Sequence, residues 1–221
     1  GVDSSIFSEQ HVDIQAKDVT IFFNCGKWEV RKGHDIIPKA FCEAFSQEDN
    51  VELWMMCENP FNTESEERRW IDTYKSCPLG SKIKIMNRVD TQQEVYNIMA
   101  QSTCGVFPAR AEGWNLELLE MMACNKPVIT TDFSAHTEFC TKENSFLIPI
   151  HITEPAYDGK WFDGNTGEWA TLGESQVLKL ANHMKFVHEN KITTNPKGVE
   201  TAKKFTWKNS AKLIWEAINN V

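Results

Sequence analysis

The chain has 221 residues, of which 41% are hydrophobic and 24% charged, and its formal net charge is −8. That length allows one sizeable α/β core or two small domains, and the acidic balance argues against general binding to nucleic acid or anionic membrane, which both need a cationic surface. No apolar run reaches the eighteen or so residues needed to span a bilayer, and GVDSSIFSEQ at the start lacks the basic and apolar regions of a signal peptide.

Strand and helix patterns alternate along the chain. VTIFFN (19–24) is a β-rich run ending at Gly26. HDIIPKAFCEAFSQ (34–47) has helical apolar spacing, with Pro38 allowed only in the first turn. VELWMMCE (51–58) predicts a strand, and 64–75 a polar helix with Trp70, Ile71 and Tyr74 inward. KIKIMN (82–87) is a strand; TQQEVYNIMAQ (91–101) is a helix opened by a Thr91–Glu94 capping box. A strand at 103–108, a helix at 115–125, a strand at 127–132, a short helix near 134–140 and a strand at 145–149 follow.

Such alternation implies right-handed βαβ crossovers and a parallel sheet covered on both faces. Ligands of such sheets bind beyond the carboxyl ends of the strands, so the turns at 24–33, 87–90, 108–115 and 132–136 are expected to share one rim. Residues 150–173 break the rhythm with Tyr157, Trp161, Phe162 and Trp169, and read as a long aromatic-pinned surface loop. Three helical stretches close the chain, at 174–190, about 196–205 and 207–220.

The seven cysteines (25, 42, 57, 77, 104, 124, 140) are odd in number and never spaced C-x-x-C. They read as reduced, mostly buried thiols of a cytoplasmic protein, with neither a disulfide framework nor a zinc site expected.

Two stretches carry candidate chemistry. In EGWNLELLE (112–120) a carboxylate stands at each end, about 12 Å apart if the stretch is helical. Gly113 suggests that the helix starts after Glu112, near Trp114 or Asn115, while Glu120 borders the apolar stripe of Leu116, Leu119 and Ala123 and needs a partner. Two readings stay open for these residues alone: the acids hold two ends of one ligand, or Glu112 caps the helix and Glu120 joins a buried cation. In FFNCGKWEVRKGHD, Gly26 and Gly33 permit close backbone approach, and Lys27, Arg31 and Lys32 suit a diphosphate or simply form an exposed basic turn. Neither the G-x-G-x-x-G nor the G-x-x-x-x-G-K-[ST] pattern is present.

Taken in order, GKWEVRKGHDIIPKAF, IKIMNRVDTQQEVYNIMAQSTCGVFPARAEGWNLELLEMMACNKPVITTD and FTWKNSAKLIWEAI resemble the C-terminal, donor-binding domain of retaining GT-B glycosyltransferases marked by E-x7-E. The resemblance covers nearly the whole chain. It implies an α/β fold, a Rossmann-like parallel sheet of about six strands with helices on both faces, forming one half of a GT-B fold. It divides the chain into a linker (1–18), a nucleotide-sugar-binding domain (19–190) and C-terminal helices (191–221) that pack toward a missing N-terminal acceptor domain. Leu213, Ile214, Trp215 and Ile218 would be the apolar face left over.

The resemblance also implies residue roles. Lys27 and Lys32 would hold the diphosphate, with lysine at the first position where the family usually has arginine. Glu112 would stand beside the donor sugar near the reacting carbon. Arg88 and Val89 would lie along the base, and Glu120 would accept hydrogen bonds from ribose. Amides of Trp114, Asn115 and Leu116 would meet sugar and phosphate, with Asn115 standing where the family often has glycine. No metal is expected, and D-x-D is absent. The donor is a UDP-, GDP- or ADP-sugar, and the chain alone is expected to bind weakly and turn over little. The rival expectations are a non-catalytic Rossmann-like module and a nucleotide-sugar hydrolase or epimerase.

Overall fold

The computed structural model describes residues 1–9 and 18–219. Residues 10–17 of the expected linker (1–18) lie outside the described residues, as do positions 220 and 221.

Six strands form one parallel sheet: β1 (Thr20–Gly26), β2 (Val51–Cys57), β3 (Ile83–Ile85), β4 (Cys104–Phe107), β5 (Val128–Thr131) and β6 (Phe146–Ile148), in the order β3-β2-β1-β4-β5-β6. The order turns back between β1 and β4, which places the topological switch, and so the crevice, at their carboxyl ends. β1 and β2 are almost wholly buried, as strands covered on both faces must be.

The crossover helices are α1 (Ile37–Ala44), α2 (Glu64–Lys75), α3 (Gln92–Gln101) and α4 (Leu116–Ala123); α5 (Glu174–Glu189), α6 (Pro196–Ala202) and α7 (Trp207–Asn219) close the chain. Pro38 sits in the first turn of α1, where its missing N–H costs nothing. Thr63 and Thr91 each close a reciprocal capping box, on α2 with Glu66 and on α3 with Glu94. One core layer, with Phe22, Leu53, Met55 and Val106, packs under α1 and α5. The other, with Phe23, Trp54, Leu118 and Met122, packs under α3 and α4. Five of the seven thiols are buried and the other two are half-buried.

Two expectations need correction. The stretch 150–173 is not an irregular loop: it holds an antiparallel hairpin of β7 (Thr153–Tyr157) and β8 (Asp163–Ala170). Its β7 run TEPAY and the polar, glycine-bearing start of β8 carry little strand signal; the hairpin instead buries Trp169, whose ring lies 5.7 Å from that of Phe162. The inward stripe of α4 also differs. Leu118, Leu119, Met121, Met122 and Ala123 are buried, whereas Leu116 is half-buried and faces a cleft. Among the described residues no helix is long and apolar enough to cross a membrane.

Candidate functional site

The carboxyl-end rim carries an open cleft of about 660 Å³ between the β1 turn, the loop after β3 and the start of α4. Gly26, Lys27, Lys32, Arg88, Val89, Glu112, Trp114, Asn115, Leu116 and Glu120 all line it. Gly33 does not. It is buried with φ at 73°, and a Cβ there would overlap the Pro108 carbonyl. Glycine is needed there so that the β1 turn can pack against the loop after β4, which is a packing role and not the exposed approach expected of it. Gly26 (φ 141°) serves the cleft itself, since a Cβ would crowd the Lys32 stem at 3.2 Å.

The β1 turn is rigid for a local reason. Trp28 is buried and stacks on Trp70 of α2 at 5.7 Å. His34 accepts from the Glu29 amide through Nδ1 at 3.2 Å, so its Nε2 carries the proton and donates to Asn24 Oδ1 at 3.0 Å. Asn24 in turn donates to the Val106 carbonyl at 2.7 Å, and Tyr74 donates to the His34 carbonyl at 2.7 Å. Burial, with Lys32 and Arg31 nearby, pushes the His34 pKa far down, so this network stays neutral.

On that base the charged groups meet. Lys32 Nζ lies 2.9 Å from Glu112 Oε1 and 3.3 Å from Glu117 Oε1. Arg31 contacts Glu112 Oε2 at 2.9 Å and Glu29 at 2.7 Å, and donates to the Ala111 carbonyl at 2.6 Å. Burial alone would raise the Glu112 pKa; Lys32 and Arg31 outweigh it and hold the group below its ordinary value, fully ionised. Burial opposes the charge of Lys32, but Glu117 and Glu112 drive its pKa up. Lys27 is exposed, its ammonium 4.9 Å from the Phe61 ring centroid.

Glu120 stands apart. It has no ion pair among the described residues, and burial, with Glu117 close by, raises its pKa to about 7. The reading in which Glu112 merely caps the helix and Glu120 joins a buried cation is overturned: the clamped acid is Glu112, and Glu120 opens onto the cleft. Asn115 caps α4 in the left-handed conformation (φ 69°), a place glycine takes without strain, and both of its side-chain polar atoms are buried without a hydrogen-bond partner among the described residues. Trp114 is fixed against Phe139 and Phe205, at 5.2 and 5.5 Å.

The loop bearing Glu112 is held from two sides. Arg110 makes a two-pronged pair with Asp35 at 2.7 and 2.9 Å and donates to the Val30 carbonyl at 2.6 Å. From the other side, Thr130 and Thr131 donate to the carbonyls of Phe107 and Ala109, and Ser134 bonds Glu112. The pairing of Arg31, Glu117 and Ser134 with this site went unforeseen. Arg31 belongs to a visible basic turn, but no spacing in the sequence selects its partner; Ser134 gives no signal at all.

A site with cations, an open helix N-terminus and two acids eight residues apart is suited to an elongated anionic ligand bearing hydroxyls at its ends. The structure resembles HepE from Anabaena, solved with UDP and glucose (TM-score 0.76, 17% identity, 100% of this chain and 56% of that one). It also resembles sucrose-phosphate synthase from Thermosynechococcus elongatus (TM-score 0.73, 17% identity, 100% of this chain and 51% of that one). Against the C-terminal domain of the group 1 glycosyl transferase LpcC from Francisella tularensis the TM-score is 0.68 at 16% identity, over 92% of this chain and 97% of that one. The chain thus spans about half the length of HepE and of the synthase. No curated protein matches it in sequence. Residues 19–156, more than half of the chain, match the family described as glycosyl transferases group 1, and the chain, a Rossmann-like half of a GT-B fold, belongs to that family.

Proposed function

We propose that this chain is the donor-binding half of a retaining hexosyltransferase that works in the cytoplasm and takes its sugar from a nucleotide diphosphate sugar. The diphosphate lies between Lys27, Lys32 and the N-terminal amides of α4; the sugar reaches Glu112 and the ribose reaches Glu120. Arg88 and Val89 flank the base. As the sugar–phosphate bond breaks, the leaving diphosphate gains negative charge, which the lysines and the helix dipole stabilise. Glu112, kept anionic by Arg31 and Lys32, faces the positive charge that develops at the sugar carbon. The acceptor site belongs to an N-terminal domain beyond these residues, against which the exposed apolar face of α7 would pack.

One observation carries the reading: both acids of the E-x7-E stretch, the two lysines and the α4 N-terminus line a single cleft, with Glu120 unpaired there among the described residues. The seven free, scattered thiols favour a reducing compartment.

The test is a thermal-shift screen of UDP, GDP, ADP and their sugars, since a specific ligand raises stability by RT ln(1 + [L]/Kd). One nucleotide family should raise the melting temperature, and Glu112→Gln and Glu120→Gln should each weaken the response. No shift with any of them, or equal shifts in both variants, would remove the assignment.

A further inference from the structure

We infer that Ser134 is a positioning residue for the cleft: its hydroxyl, carried on a strained backbone, bridges the peptide N–H and C=O of Glu112 and fixes the carboxylate that Lys32 and Arg31 clamp. Its consequence for ligand binding rests on the donor-site reading above; the positioning itself does not.

Ser134 has φ 73° and ψ −164°, a combination open in practice to glycine alone. A serine persists there only if the surroundings over-determine it. The turn that follows is such an anchor. His136 is fully buried and donates from Nε2 to the Thr131 carbonyl at 2.7 Å. Thr137 donates from both its amide and its hydroxyl to the Ser134 carbonyl, at 3.1 and 2.7 Å. The Ser134 side chain makes no cap bond to its own turn. Instead Oγ accepts from the Glu112 amide and donates to the Glu112 carbonyl, both at 2.8 Å.

Parallel-sheet pairing between β4 and β5 ends at Phe107 and Thr130. Beyond it, hydroxyls replace the backbone ladder: Thr130 holds the carbonyl of residue 107 at 2.9 Å and Thr131 that of residue 109 at 2.6 Å. Ser134 extends the series to residue 112, where the carboxylate stands. If the strained conformation merely let the chain turn after β5, glycine would serve better than serine. Glycine cannot supply the hydroxyl, so the strain is accounted for by the bridge to Glu112.

Ser134→Gly and Ser134→Ala, made in the full chain, separate the two accounts. In Ser134→Gly the Glu112 amide should exchange hydrogen about tenfold faster, while the Arg110 amide, bonded to the Arg31 carbonyl at 2.7 Å, keeps its parent rate. The melting temperature of this variant should be no lower than that of the parent. Of UDP-glucose, GDP-mannose and ADP-glucose, whichever binds the parent by calorimetry should bind the variant about tenfold more weakly. Ser134→Ala, which keeps the strain and loses the bridge, should melt lower; should it not fold, Ser134→Gly alone decides. Parent-like exchange at Glu112, unchanged affinity, or a fall in melting temperature alongside affinity would each overturn the inference. If no nucleotide sugar binds the parent, the donor reading fails while the exchange rates still decide the role of Ser134.

Discussion

Two glutamates of one short segment have opposite electrostatic fates. Glu112 sits between two cations, and its pKa is depressed. A depressed carboxylate contributes stability that is present above its unfolded value of 4.5 and is lost as pH falls through the lower folded value. Glu112→Gln leaves partly buried Arg31 with Glu29 alone and partly buried Lys32 with Glu117 alone as counter-charge, and should cost about 2 kcal/mol at pH 7. Urea titrations should show that deficit shrinking below pH 4.5; a deficit independent of pH would mean that the ion pairs contribute little. Glu120 behaves inversely, because burial raises its pKa to about 7. Its neutral form is favoured in the folded state, so stability falls as pH rises from 4.5 to 7 and stays lower beyond that. Glu120→Gln should therefore stabilise the chain by up to about 3 kcal/mol at pH 8 and by almost nothing at pH 4. If ionised Glu120 accepts from ribose hydroxyls, nucleotide affinity of the parent should rise between pH 6 and 8. A flat affinity profile would separate Glu120 from the ligand.

Among elements, the loop between β4 and α4 carries the site although it has no regular structure of its own. It is held by Arg110, which is 6% exposed and joins this loop to the β1 turn through Asp35 and the Val30 carbonyl. Arg110→Met should cost about 3 kcal/mol through the stranded carboxylate and the lost carbonyl contact. It should also weaken nucleotide binding, since both halves of the cleft would drift; a stable variant with parent affinity would contradict this. The crossover elements themselves were legible, because the capping box at Thr91 and the runs VELWMMC and TIFFN are local signals. The β7–β8 hairpin was not. Its strands are polar and glycine-bearing, and they are stabilised by contacts distant in sequence: the Ala170 amide donates to the Arg110 carbonyl at 3.0 Å, and Lys160 bonds the Phe61 carbonyl at 2.6 Å.

For the molecule as a whole, the unusual surface is α7. Leu213, Ile214, Trp215 and Ile218 are all more than 60% exposed, and α7 has no buried residue among those described. A patch of this kind is an interaction site or an aggregation hazard. The isolated chain should associate reversibly as its concentration rises, and Leu213→Glu with Trp215→Ser should abolish this in sedimentation velocity runs. Association unchanged in the double variant would move the contact elsewhere.

Periodicity, caps and strand polarity act over a few residues, so the alternating elements, the parallel sheet and the placing of both acids and both lysines on one rim are readable along the chain. Which cation meets which acid emerges only once distant loops have packed. Arg31 reaches Glu112, Gly33 yields to Pro108 and Ser134 strains toward residue 112, each where two loops meet at a sheet edge across about 20 to 80 positions of chain, while Glu120 has no ion pair among the described residues. A side chain's pattern along one element encodes the face it occupies; its partner across the cleft is chosen by packing, which no local pattern contains.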